Sequence, residues 1–372
     1  MADVVPNINI INNADFDGTV LVGEANRGNE KVNLIVKLRV HKLRAKAFYS
    51  ILKKTKNNVY TLAYDLQQVQ SLPRVTLQEA YYSRQLSLYN FGLCDLNNNS
   101  NHSYTWLESQ SGRGSNEIAS AVFHYLTTKL SNSLTFNEAV DTIRLVSDGC
   151  RGQNKNIIML GMVQSWLFNS PQHVTKVELI FLVRGHSFLP CDRLFGRIEK
   201  DLKVNTEILE PSGFHDIFFK HCNTVNTVNR EWFVKDWKKS CTSTYKTLNG
   251  FQELKRIILQ KHFTSKRKVY VTIQSEMNYK SDLGKPIQLL KRGKSHTFNP
   301  LVISGMRPIS APKLKDIHYL LAVLYGPDWK NIPGTEVYSI LTSTATIQDE
   351  NAPLLRTVTA MKKTLVLEFD FC

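Results

Sequence analysis

The chain has 372 residues, of which 42% are hydrophobic, and this is enough for a sizeable core and for two or three domains. No apolar run reaches the ~20 residues of a membrane-spanning helix, so we expect no membrane partner. The six cysteines are scattered without a C-x-x-C pair, which argues against a zinc ribbon and against a disulfide framework. Lysine and arginine outnumber aspartate and glutamate by 47 to 32, a net charge of +15.

The excess positive charge is concentrated in one stretch of the chain. Residues 235–315 contain 18 basic and 4 acidic side chains, an excess of 14. Such a block favours an anionic partner, most often nucleic acid, although a solvated lysine-rich surface has the same composition. The first residues lack the basic start and apolar block of a signal peptide. We therefore expect an intracellular, nuclear protein with DNA as its partner.

In chain order, residues 1–30 lack clear periodicity, and an apolar stripe predicts a helix over residues 31–54. Strands are predicted at 59–66, 82–94 and 103–109. Further on, the pattern predicts helices at 115–130 and 154–168, strands at 142–146 and 177–183, and a helix that begins near residue 190.

Three strands followed by helix, strand, helix, strand and helix is the order of the ribonuclease H-like fold. In that fold an antiparallel meander is joined by two parallel strands through crossover helices. We therefore predict an α/β protein with three regions. They are an irregular segment and helix (1–55), a ribonuclease H-like catalytic core with a mixed five-stranded sheet and helices on both faces (56–210), and a basic helical and small β region (211–372).

The C-terminal region is predicted in less detail. Residues 211–262 are expected to be mainly helical, with Trp232 and Trp237 in the core. Short strands are expected within 268–292, a helix-rich segment over 313–345, and a strand at 364–372.

Acidic residues stand at the ends of the predicted core elements. Asp65 ends the first strand, Asp148 follows the fourth, and Asp192 opens the last helix. Two divalent ions about 4 Å apart can activate a water or a 3′-hydroxyl, and Mg²⁺ or Mn²⁺ requires several carboxylates. We therefore predict that the three aspartates hold metal. Glu199, seven residues after Asp192 on the same helix face, is the alternative third ligand, and His186 is a candidate proton donor.

Each of these acids also has an ordinary structural explanation. Asp65 could cap a turn, Asp148-Gly149 is a common turn pair, and Asp192 suits the first turn of a helix. However, all three acids stand at matching ends of the predicted core elements, and this favours a shared metal site.

Nucleic-acid contacts are predicted at two kinds of position. The polar loop after Asp148 opens a helix and can reach phosphates or base edges, and a second polar loop carries an arginine. The predicted contact residues are Arg113, Arg151, Gln153, Asn154 and Lys155 in the loops, and Lys266, Arg267, Lys268, Lys291, Arg292 and Lys294 in the basic stretch.

Five groups of residues form a recognisable set of motifs. They are Tyr64–Gln68 with Leu72-Pro73; Tyr89–Gly92; Gly112–Ile118; Ser147-Asp148 with Gly152–Asn156; and Gly185–Ser187 with Asp192 and Phe195–Glu199. Together they resemble an uncharacterised transposon-derived animal protein family whose members are similar to integrase-like, ribonuclease H-fold transposases. The resemblance covers roughly residues 35–345.

The resemblance implies DDE/D-type, metal-dependent nucleotidyltransferase ancestry. It predicts a nuclease or strand transferase that acts on DNA by a two-metal-ion mechanism. By analogy with such transposases, a homodimer or a larger assembly is expected. The alternative is a domesticated protein that binds nucleic acid without catalysis.

Two further hypotheses come from local motifs. The segment 15–20 matches D-x-D-G-T, the nucleophile loop of haloacid dehalogenase-like phosphatases, with Asp15 as the nucleophile. The strand that should precede it is only half apolar. A zinc site formed by Cys150, His186 and Cys191 has suitable ligand types without a usual spacing.

Overall fold

The computed structural model describes residues 28–53, 56–130, 139–183, 189–266 and 268–341, which contain nine strands. These strands are β1 (Val59–Leu66), β2 (Gln70–Leu72), β3 (Leu86–Asp95), β4 (Ser100–Leu107), β5 (Thr142–Ser147), β6 (Lys176–Phe181), β7 (Thr224–Thr227), β8 (Arg256–Phe263) and β9 (Val269–Glu276). The main helices are α1 (Gly28–Lys53), α2 (Gln78–Tyr82), α3 (Ser115–His124), α4 (Ile157–Asn169), α5 (Pro190–Val204), α6 (Pro211–Phe219), α7 (Trp237–Thr244) and α8 (Ala311–Tyr325). A π-helical turn, Tyr125–Leu130, extends α3.

All nine strands belong to one mixed sheet with the order β7-β4-β3-β1-β5-β6-β8-β9, and β2 pairs with β3. Strands β1, β3 and β4 form an antiparallel meander, while β5 is parallel to β1 and β6 is parallel to β5. The chain passes from β4 to β5 through α3, and from β5 to β6 through α4. At the edges, β7 is parallel to β4, whereas β8 and β9 continue antiparallel from β6.

The two faces of the sheet support separate hydrophobic cores. One core joins the sheet to α3, α4 and α7, and it contains the buried Trp232 and Trp237, as predicted. Gly161 lets α4 approach α7 closely, because a Cβ at this position would lie 2.7 Å from Sγ of Cys241. The other core joins the opposite face to α5, α6, α8 and the C-terminal half of α1. The sheet is therefore buried on both sides, as the predicted α/β class requires.

Helix α5 packs directly over β1 and β3. It begins at Pro190, whose fixed φ suits a first helical position. Asp192 accepts a hydrogen bond from the backbone N–H of Leu189 at 2.7 Å, which closes the first turn. The buried thiol of Cys191 lies 3.4 Å from the carbonyl oxygen of Ala63, so the start of α5 is held against β1.

Two predictions about the sheet were too limited. The sheet has nine strands rather than five, because the short β2 pairs with β3 and because β7, β8 and β9 join the sheet from beyond residue 210. Residues 211–262 are therefore not mainly helical. Strand β7 has only four residues, and the apolar run in β8 is too short for its periodicity to separate a strand from a helix. The strand predicted at 364–372 lies outside the described residues.

Candidate active site

Asp65 lies near the end of β1, and Asp148 directly follows the neighbouring parallel strand β5. The register pairs Ala63 of β1 with Val146 of β5, and each aspartate follows its partner by two residues. Side chains two residues apart on a strand point to the same face, and neighbouring strands are about 4.8 Å apart. The two carboxylates are therefore expected on the same face of the sheet, where β1 and β5 end and α5 covers it, and the charge of Asp148 acts on Asp65 there.

Asp192 approaches the same place from α5. Its neighbour Cys191 contacts the backbone of β1 and β3 through the carbonyl oxygens of Ala63 and Gly92, at 3.4 and 3.5 Å. The first turn of α5 therefore lies over the ends of these strands. Three aspartates that are 83 and 44 residues apart in sequence are brought to one end of the sheet.

The electrostatics of the site reflect this crowding of acids. Burial, the negative charge of Asp148 and, more weakly, that of Asp192 raise the pKa of Asp65 to about 8, although the N–H of Leu66 opposes the shift. Burial also raises the pKa of Asp192, and the charge of Asp148 adds to that shift against the N–H of Leu189. Neighbouring negative charges that raise the pKa of a carboxyl group favour the binding of a proton or a cation.

Each aspartate is oriented by hydrogen bonds from its own segment. Oδ1 of Asp65 accepts from the N–H of Leu66 at 2.8 Å. Oδ1 of Asp148 accepts from the N–H of Cys150 at 3.1 Å and from the amide of Asn154 at 2.5 Å. Among the described residues, these bonds and the one from Leu189 engage one oxygen of each carboxylate. In the part of the chain that the structure describes, the second oxygen of each carboxylate accepts no hydrogen bond.

Glu199 has a different role from the three aspartates. Its Oε1 accepts hydrogen bonds from the amides of Gln67 at 2.7 Å and Gln70 at 3.0 Å. Gln67 in turn accepts from Asn90, which accepts from Ser103, so that a buried polar chain crosses β1, β3 and β4. Glu199 anchors this chain to α5, and the geometry favours Asp192 as the third acid.

The predicted metal site has suitable ligand types but does not have a suitable ligand geometry. Carboxylate oxygens are the ligands that Mg²⁺ prefers, and three of these groups converge here. However, no group of three or more His, Cys, Asp or Glu side chains in the described ranges has the geometry to hold a metal ion. The donor set suits a hard cation, while a complete three-residue ligand geometry is not formed.

The remaining candidate residues for chemistry have different outcomes. His186, the predicted proton donor, and Asp15, the predicted phosphatase nucleophile, lie outside the described residues. For the zinc hypothesis, Cys191 is buried against β1 and β3, and its Sγ lies 3.4 Å from Sγ of Cys94. The described residues thus offer no support for a site shared by Cys150 and Cys191.

Two predicted nucleic-acid contacts lie on loops that the structure ties together. Arg113 and Arg151 are both exposed. Ser115 donates to the carbonyl of Gly152 at 2.8 Å, and Asn156 donates to the hydroxyl of Ser115 at 2.9 Å. The loop that starts at Asp148 therefore carries one arginine and adjoins the loop that carries the other.

Two other loop residues are not placed for contact with a polyanion. Lys155 is buried, and its ammonium group donates to the carbonyls of Gln252 and Leu254 at 2.5 and 2.7 Å. Asn154 is also buried and orients Asp148. Their positions argue against the predicted phosphate contacts, because both polar groups are used inside the protein. Gln153, which precedes these two residues in the chain, is partly exposed.

The predicted contacts from the basic stretch fall into two turns. Lys266 and Lys268 are exposed between β8 and β9, at the end of the sheet opposite the aspartates, because β8 runs antiparallel to β6. Arg267 lies outside the described residues. Lys291, Arg292 and Lys294 share a turn around Gly293, and the ammonium group of Lys291 donates to the carbonyl of Thr242 at 2.7 Å.

The fold and site define a mixed α/β protein with Asp65 and Asp148 at the carboxyl ends of two central parallel strands and Asp192 on the helix that packs over them. The chain belongs to a family described as a domain of unknown function (DUF7869), whose model matches residues 82–276, slightly more than half of the chain. The match includes Asp148 and Asp192 and begins after β1, which carries Asp65. Comparison with curated proteins and with solved structures finds no match. Within the described residues, every helix is too short or too polar to cross a membrane.

Proposed function

We propose that this protein cuts or joins DNA phosphodiesters with the help of divalent metal, and that Asp65, Asp148 and Asp192 form its catalytic centre. The observation that carries the proposal is the placement of Asp65 near the end of β1 and of Asp148 directly after the adjacent parallel strand β5. Beyond the effect of burial, the charge of Asp148 raises the pKa of both Asp65 and Asp192, and this supports the proposal further, because uncompensated carboxylates are stable where a cation neutralises them.

The central topology supports the same proposal. The order β4-β3-β1-β5-β6, with a meander followed by two parallel strands, is the order expected of a ribonuclease H-like core. In such a core the acids stand on the first strand, at the end of the fourth, and on the final helix. Asp65, Asp148 and Asp192 have these positions. The motif resemblance to transposon-derived, integrase-like proteins points to the same chemistry.

The donor set suits Mg²⁺ or Mn²⁺, held by the free oxygens of the three aspartates. A bound ion would activate a water or a 3′-hydroxyl and stabilise the charge of the leaving oxygen. Asn154 keeps one oxygen of Asp148 fixed, so that the other has a defined direction. Arg113 and Arg151 would hold the DNA backbone beside the acids through bonds to phosphate oxygens.

The decisive experiment combines metal binding with catalysis. Labelled DNA is incubated with the protein and Mg²⁺ or Mn²⁺, and cleavage and strand transfer are measured for the wild type and for Asp65→Asn and Asp148→Asn. In parallel, the melting temperature is measured with and without Mg²⁺. We expect activity and metal stabilisation in the wild type, and neither in the two variants. The control is Asp216→Asn, at an exposed aspartate of α6, which should behave as the wild type does.

A second candidate is a nucleic-acid-binding protein without catalysis. It is favoured by the lack of a complete metal geometry in the described residues, together with the exposed arginines and lysines. It predicts DNA binding that weakens steeply with salt, while the DNA remains intact in Mg²⁺ and Mn²⁺. Intact DNA together with an unchanged melting temperature in Mg²⁺ would decide for this candidate.

A further inference from the structure

Helix α1 is covered by the protein toward its C-terminal end, whereas apolar side chains before that end are exposed. The C-terminal half of the helix packs into the core through Ala45, Ala47 and Phe48. Before this buried end, Val32, Val36, Val40 and Leu43 are 58, 51, 40 and 65% exposed, and Ala47 continues the same face into the core. We refer to the four exposed residues as the exposed stripe. At 3.6 residues per turn their spacing of four, four and three residues places them within about 80° of the helix circumference.

The exposed stripe is flanked by positive charge on both sides. At about 100° per residue, Arg39 and Lys46 lie along one border of the stripe, and Lys37 and Arg44 lie along the other. Among the described residues, none of these four forms an ion pair with an acidic side chain. The whole helix has a single acidic residue, Glu30. The borders of the stripe therefore carry charge that no described residue neutralises.

We propose that the exposed stripe is a docking surface for an acidic amphipathic helix of a partner protein. An apolar seam with charged borders is the surface that one helix presents to another in a two-stranded coil. Val40 and Leu43 alternate as the a and d positions of such a coil do, where β-branched residues and leucine favour two strands. Glutamates on the borders of a partner helix would pair with the lysines and arginines of α1.

Charge also decides against a second copy of the same helix. In a parallel pair, Arg39 and Lys46 of one copy would face Lys37 and Arg44 of the other. In an antiparallel pair, each border would face its own counterpart. Both arrangements bring positive charges together, which is a device against self-association.

A lipid surface suits the stripe less well. Helices that lie on membranes place leucine, phenylalanine or tryptophan in the acyl region. The stripe has three valines and one leucine, which are short side chains with a small apolar volume. A helix–helix seam makes better use of short, β-branched residues.

The test uses the full chain and a synthetic peptide of about four heptads, with valine and leucine at a and d and glutamate at e and g. Binding is followed by fluorescence anisotropy of the labelled peptide. We expect binding that weakens with salt, and at least a tenfold loss of affinity in the double variant Val36→Ser/Leu43→Ser. Leu283→Ser is the matched control, because Leu283 is 79% exposed outside the helix.

Charge reversal makes the test sharper. The variant Lys37→Glu/Arg44→Glu should no longer bind the acidic peptide and should instead bind a peptide with lysine at e and g. Circular dichroism and the melting temperature verify that the variants remain folded, which is expected because the altered side chains are exposed. Equal binding of the acidic peptide by the wild type and the stripe variant would overturn the proposal. The proposal would also be overturned if the wild type bound phosphatidylserine vesicles or formed a concentration-dependent dimer and the stripe variant did not.

Discussion

Gly92 on β3 lies directly under the ring of Phe195 on α5. A Cβ built on Gly92 would stand 2.7 Å from Cε1 and 2.8 Å from Cζ of that ring. Gly92 is also the residue opposite Asp65 in the pairing of β1 with β3. The close approach of helix and strand that brings Asp192 over the strand ends therefore depends on a missing side chain.

Replacement of Gly92 by alanine should destabilise the protein by about 1–3 kcal/mol, because the added methyl group overpacks a filled interface. Urea unfolding measures the change, and the additional substitution Phe195→Leu should restore part of the loss. Gly196 gives a control on the same helix, since a Cβ there meets no atom within 4 Å. Gly196→Ala should be neutral or stabilising by about 1 kcal/mol. Similar losses at both glycines would contradict this account.

Asp65→Asn should stabilise the metal-free protein above about pH 4. The folded state raises the pKa of this carboxyl from 3.8 to about 8, so it retains a proton that the unfolded chain releases. The stability of the wild type therefore falls as pH rises through this window, and asparagine removes the loss. Melting temperatures measured without metal at pH 5 and pH 8 give the test. If the stabilisation by Asp65→Asn does not increase from pH 5 to pH 8, the pKa of Asp65 is not raised in the folded protein.

His296 should limit stability on the acid side. It is buried, stacks on Phe168, and shares a hydrogen bond of 3.1 Å with the hydroxyl of Tyr245. Burial lowers its pKa from 6.5 to about 4, so the unfolded chain takes up a proton that the folded protein refuses. Stability should therefore be lost as pH falls from about 6.5 to 4, by on the order of 3 kcal/mol.

The substitution His296→Gln removes this titration, and chemical denaturation at several pH values should show a flatter acid limb. If the variant and the wild type lose stability in parallel between pH 6.5 and 4, another group is responsible.

Glu199→Ala should destabilise the protein by about 1.5–3 kcal/mol, since the amides of Gln67 and Gln70 would lose a charged acceptor at a partly buried site. Denaturant unfolding provides the measurement, with the exposed Glu207→Ala as control. If Glu199 were instead the third metal ligand, the substitution would abolish the melting-temperature shift that Mg²⁺ produces in the wild type.

Arg151 and Lys155 are four residues apart and should respond in opposite ways. Arg151→Gln should weaken DNA binding and reduce the slope of log affinity against log salt by about 1, because one phosphate contact is lost. Lys155→Met should leave that slope unchanged and lower stability, since the carbonyls of Gln252 and Leu254 lose their donor. Anisotropy titrations in several salt concentrations, combined with melting curves, separate the two effects.

Local patterns in the sequence determined the core elements and the places of the acids. Apolar runs of strand length predicted β1, β5 and β6, and helical periodicity predicted α3, α4 and α5. Because parallel strands present their carboxyl ends at one edge, the positions of Asp65 and Asp148 after two such strands already indicated a shared site. The identity of the aspartates as candidates, and Asp192 as the preferred third member, came from the sequence.

Only the tertiary structure decided what the remaining side chains contact. The sequence placed Lys155 and Asn154 in a polar loop, and the fold turns both inward, one to carbonyls of a loop about 100 residues away and the other to Asp148. In the folded protein Glu199 accepts hydrogen bonds from the amides of Gln67 and Gln70. The fold also adds β7, β8 and β9 to the central sheet. Periodicity reports on neighbours within a few turns, whereas burial and hydrogen bonding depend on segments that meet only when the sheet and its helices pack. For that reason the elements could be derived from the chain, and the partners of their polar groups could not.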